Sequence, residues 1–123
     1  MKYELSRYRL DIAKKRMDTA ELLFSAERYE DAIFSAARAL LATKELDSAK
    51  HSGVMSLFNL HFVKPGIVSK EMSKILKDAK AERERSDYED FVIVSKEEAE
   101  AQIQSAKEFI HEVEVALSKL KND

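Results

Sequence analysis

The chain has 123 residues, 45% of them hydrophobic and 36% charged, which suits one domain spanning residues 1–123 around a single core. Its 21 Lys and Arg nearly balance its 23 Asp and Glu, so a net charge of −2 provides no global field for nucleic acid or an acidic membrane, and any basic site has to be local. With no Cys, 2 Gly and 1 Pro, the composition excludes a disulfide framework, thiolate metal sites, a cysteine nucleophile, a glycine-rich phosphate loop and the many turns of a β sandwich.

Residues 1–10 carry Lys2, Glu4, Arg7 and Arg9 and no apolar run of the signal-peptide kind. Nothing approaches the ~20 apolar residues of a membrane span, so the expectation is a cytoplasmic protein with no membrane attachment. Leu10, Ala13, Met17, Ala20 and Phe24 follow steps of three and four, which predicts a first amphipathic helix over about residues 5–26. Tyr29, Ala32, Ile33, Ala36, Ala37, Leu40 and Leu41 predict a second helix. Its small-residue seam, Ala32, Ala36 and Ala37, is suited to close packing against either a bundle neighbour or a partner subunit.

Residues 47–53 are polar and end on Gly53, which reads as a loop before a short third helix over about residues 54–62. Pro65 and Gly66 then interrupt the chain, and Ser69 is a suitable N-cap for a fourth helix with Glu71 at its dipole-favoured start. Ser95 and Glu98 form a capping box, after which Ala99, Ile103, Ala106, Ile110, Val113, Leu117 and Leu120 give a sustained four-three repeat. The fold expected is all-α: an antiparallel up-and-down four-helix bundle with one extra short helix.

Within the fourth helix, Met72, Ile75, Leu76 and Ala79 share an apolar face, and Arg83 falls on that face one turn further on. A guanidinium keeps its charge, so an inward-facing one needs a carboxylate or a wet cleft that accepts an anion. Asp87, four residues later, is the local candidate partner. A structural ion pair is the bland reading and a phosphate site the functional one. Lys70, Lys74, Lys77 and Arg85 make a basic stripe on the opposite side, but Asp78, Glu82 and Glu84 interleave with it as in an ordinary solvated face.

The histidines are His51, His61 and His111. Glu108 and His111 match half of a bundle di-iron motif, yet there is no second such pair and Glu108 falls on the outer face, so no metal site is expected. His51 reads as a helix-start residue, with general-base catalysis as the sharper alternative. Met17, Met55 and Met72 read as core fillers.

The order of these elements resembles the HEPN family, in particular its small stand-alone prokaryotic members. The resemblance spans almost the whole chain and rests on residues 32–41 (AIFSAARALL), on residues 51–66 with Pro65 and Gly66, and on Arg83, Asp87 and Tyr88 followed by a Glu-rich helix start. It implies a dimeric helical bundle, nucleotide or RNA binding without a cofactor, and partnership with a minimal nucleotidyltransferase in a toxin–antitoxin-like pair. No DNA specificity is implied. The ribonuclease branch pairs an Arg with a His four to six residues on, the Arg for the scissile phosphate and the His for a proton. Arg83 matches the Arg, but Tyr88 stands at the His position, and with an unperturbed pKa of ~10 tyrosine accepts protons poorly at neutral pH.

Related members also carry about seven further residues, including a Tyr pair, between Ile33 and Phe34, a difference that shortens the rod by ~10 Å while nearly keeping helix phase. The expected nucleotide- or RNA-binding residues are therefore Arg83, Asp87, Tyr88 and His51. A metal-independent ribonuclease and a purely structural docking subunit are the alternatives.

Overall fold

The computed structural model describes residues 2–23, 26–88 and 95–122; side chains at 2, 19–28, 86–94 and 122 lie outside the description. Five α-helices follow one another: α1 (Lys2–Leu23), α2 (Ala26–Ala42), α3 (His51–Phe58), α4 (Lys70–Tyr88) and α5 (Lys96–Asn122). Among the described residues there is no strand. The all-α bundle with a short extra helix is thus the observed fold, and it places α2 at the centre, packed against each of the other four helices.

Composition explains why α2 holds that position. Ala32, Ala36, Ala37 and Ala39 are fully buried, so their methyl groups let four neighbours approach one backbone, while Ile33, Phe34, Leu40 and Leu41 fill the space between them. The small-residue seam is consumed inside the chain, which leaves it no surface for a partner subunit. Met17 and Met72 lie in the core, and Phe58, Phe62 and Phe109 join its lower end, with Phe58 and Phe109 stacked at 5.5 Å between centroids.

The ends of the helices show where the chain departs from sequence expectation. α2 closes with the backbone bonds Leu46 N–H to Leu41 O at 3.0 Å and Glu45 N–H to Ala42 O at 3.1 Å, the paired pattern of a Schellman stop. Its left-handed residue is Glu45 (φ 57°), not the usual glycine, so no sequence signal marked it. Gly53 reads as a loop residue but lies inside α3, which starts at His51, three residues before the expected start. A Cβ at Gly53 would stand 2.7 Å from the Ser48 Cβ, so the glycine serves close approach between helix and loop.

α3 then runs into a π-helical turn, Asn59–Val63, in which Phe62 is buried and Leu60 is exposed. Val68 N–H bonds Phe62 O at 3.0 Å across Pro65 and Gly66 (φ 83°) and turns the chain into α4. The Ser95 hydroxyl accepts from Glu98 N–H at 3.1 Å, the expected N-cap of α5. Among the described residues no helix is long and apolar enough to cross a membrane.

Candidate functional site: an arginine row along α2

On an otherwise apolar helix, Asp31, Ser35 and Arg38 follow the spacing i, i+4, i+7, which sets them on one stripe of α2. Each of the three is engaged by an arginine or is one. Arg83 of α4 donates through Nη1 to Asp31 Oδ1 at 3.2 Å, with both side chains about three-quarters buried. Arg16 of α1 donates to the Ser35 hydroxyl. Arg9 of α1 donates to Arg38 O at 3.2 Å and to Asp47 Oδ2 at 3.1 Å, and Arg38 Nε lies 3.6 Å from Asp47 Oδ1. Among the described residues, four arginines lie along the stripe with the carboxylates of Asp31 and Asp47, a local clustering of arginine on a chain of net charge −2.

Packing explains how Arg83 comes to lie there. Met72, Ile75, Leu76 and Ala79 are buried against the bundle, and Arg83 continues their face where the core gives way to the polar stripe of α2. The inward-facing arginine is therefore as expected from the sequence. Among the described residues it meets the carboxylate of Asp31, 52 residues away in the chain. Asp87 and Tyr88 belong to the last turn of α4, and their side chains lie outside the described residues. The signal available for Asp31 was the polar stripe itself, because a carboxylate in phase with Ser35 and Arg38 on an Ala- and Leu-rich helix requires a cation.

His51 opens α3 and packs its ring on Phe34, with centroids 4.2 Å apart and planes at 41°. Phe34 is one turn from Asp31 on α2, so His51 stands beside the row. The residue before it, Lys50, makes no side-chain cap. Lys70, Lys74 and Lys77 are exposed, and Arg85 pairs with Glu82 at 3.6 Å, as befits a mixed-charge face. Glu108 accepts from Gln104 Nε2 at 3.3 Å on the exposed side of α5. Among the described residues no group of three or more His, Asp or Glu is arranged to hold a metal ion.

An all-α bundle with one short extra helix is the fold that the sequence resemblance implied. The HEPN domain profile matches residues 6–116 of the chain. The Methanocaldococcus jannaschii protein named "Putative toxin MJ0605" is 33% identical over 118 residues, covering 90% of this chain and 87% of the relative. A "UPF0332 protein" of Thermotoga maritima is 34% identical over 116 residues, covering 89% of this chain and 88% of the relative. This chain belongs to the HEPN domain family.

Proposed function

We propose that this HEPN protein is of the toxin type suggested by the name of its Methanocaldococcus relative and binds the phosphate of RNA or a nucleotide through Arg83. The observation that carries the reading is the Arg83 guanidinium, held by Asp31 at the edge of the core and accompanied along α2 by Arg16, Arg38 and Arg9. A cation fixed in this way is preorganised for a phosphate oxygen, and its neighbours raise the local potential. In this reading Tyr88 stacks on a base or donates a hydrogen bond, and Asp87 helps to orient the guanidinium. The protein acts as a homodimer beside a minimal nucleotidyltransferase. Support for those partners is the family resemblance, together with Leu5 and Tyr8, exposed one turn apart on α1 and available for contact.

A ribonuclease is the second reading, favoured by His51, whose ring rests on Phe34, one turn along α2 from Asp31, and whose imidazole is the side-chain type best suited to proton transfer near neutral pH. One experiment separates the two: purified protein and Arg83→Ala are incubated with total cellular RNA in EDTA and resolved on gels for fragments and retained complexes. Retention that depends on Arg83, without fragments, is the expected result. Fragments that disappear in Arg83→Ala make the protein an enzyme, and neither signal overturns the RNA reading in favour of a docking subunit.

A further inference from the structure

The far end of the arginine row has features that a structural ion pair does not require. Arg9 and Arg38 converge on a single carboxylate, Asp47, and leave one positive charge in excess. Neither guanidinium depends on that carboxylate for its position: Arg9 Nη1 is fixed by Arg38 O at 3.2 Å and Arg38 Nη2 by Ser48 O at 3.0 Å. The Arg38 Nε donor is buried without a hydrogen-bond partner, because Asp47 Oδ1 at 3.6 Å is too distant to accept. Asp47 itself is half exposed, on the non-helical segment 46–48, where it also accepts the Ser48 N–H at 2.8 Å.

We propose that Arg9 and Arg38 form a second phosphate subsite, which Asp47 covers as an internal anion until the backbone of an RNA strand displaces it. The proposal rests on the reading of Arg83 given above and extends it from a phosphate to a strand. Asp31 and Arg38 are seven residues apart, so their side chains agree in phase to about 20° and stand ~10 Å apart along the helix. A mononucleotide reaches one end of the row, whereas an oligonucleotide reaches both. Displacement exchanges one carboxylate for a phosphate with more acceptor oxygens, including one for the unsatisfied Arg38 Nε, and the two cations keep their backbone anchors throughout.

The test is fluorescence anisotropy with labelled adenosine monophosphate and a labelled eight-nucleotide RNA, on wild type, Arg83→Ala, Arg9→Gln, Arg38→Gln and Asp47→Asn, each checked by thermal melting. Asp47→Asn keeps an oxygen for the Ser48 N–H and removes only the competing charge. It is expected to tighten binding of the eight-mer by about threefold or more, and Arg9→Gln and Arg38→Gln to weaken it by about fivefold or more, with the mononucleotide unchanged. Arg9→Gln carries the test if Arg38→Gln fails to fold. Should Asp47→Asn weaken or leave unchanged the binding of the eight-mer, or should both Gln variants bind it like wild type, Asp47 is a structural partner only and the second subsite is wrong. If Arg83→Ala alone weakens binding, the reading of Arg83 survives without the extension; if Arg83→Ala binds both probes like wild type, the reading of Arg83 is what fails.

Discussion

Two flanks of the same helix differ in charge. Along one, Asp31, Ser35 and Arg38 of α2 gather Arg83, Arg16 and Arg9. Along the other, beginning one residue earlier at Glu30, α2 borders a cavity of about 420 Å³ between α4 and α5, with Ile33, Ile75 and Ala79 as apolar lining. Among the described residues, the charged ones lining that cavity are Glu30, Asp78, Glu82 and Glu98, all carboxylates. A step of ~100° around one helix therefore separates an arginine-lined face from a pocket lined by carboxylates. In a chain whose charges nearly cancel, the location of charge informs about function where the total does not.

The largest effect should come from removing what both flanks share. Phe109 is fully buried and stacks on Phe58, and Phe109→Ala should cost about 3–5 kcal/mol, read as a lower midpoint in denaturant, with both flanks lost together. A more selective perturbation is Gly53→Ala. The added Cβ would press on Ser48, whose carbonyl anchors Arg38, so the variant should lose about 1–3 kcal/mol and disturb the arginine flank while leaving the cavity intact. Amide exchange that rises around residues 46–50 and not around α5 would confirm that the two flanks are separable.

The smallest effect expected is a gain. Glu45 holds a left-handed conformation, and Glu45→Gly removes about 1 kcal/mol of strain against about 0.5 kcal/mol of added freedom in the unfolded chain. A slightly higher melting temperature with unchanged RNA binding would show that this turn shapes the fold without belonging to the site.

Most of the fold was legible in the sequence because its signals are periodic and local. The four-three repeat of α5 and its Ser95 cap needed no information from elsewhere in the chain. What escaped were features fixed by distant contacts. Gly53 resembles a turn residue until Ser48 is seen beside it, and Glu45 ends α2 without any of the residues that announce a stop. The site was half legible. Arg83 stood out as a charge on an apolar face, but Asp31 lies 52 residues away, and the association of Arg9, Arg38 and Asp47 is a tertiary fact. Asp87 was singled out by helical spacing and Tyr88 by the family resemblance, and the structure adds only that their backbone continues α4.

The central claim, that the arginine flank of α2 is the phosphate-binding face, is tested most directly by the salt dependence of RNA affinity. Dissociation constants for a single-stranded RNA are measured across a series of salt concentrations for wild type, Arg83→Ala and Asp78→Asn on the cavity flank. Arg83→Ala should weaken binding by about tenfold at low salt and reduce the slope of log affinity against log salt by about 0.7, the amount for one lost phosphate contact, while Asp78→Asn matches wild type in both. Unchanged affinity and slope in Arg83→Ala, or a larger change in Asp78→Asn, would contradict the account.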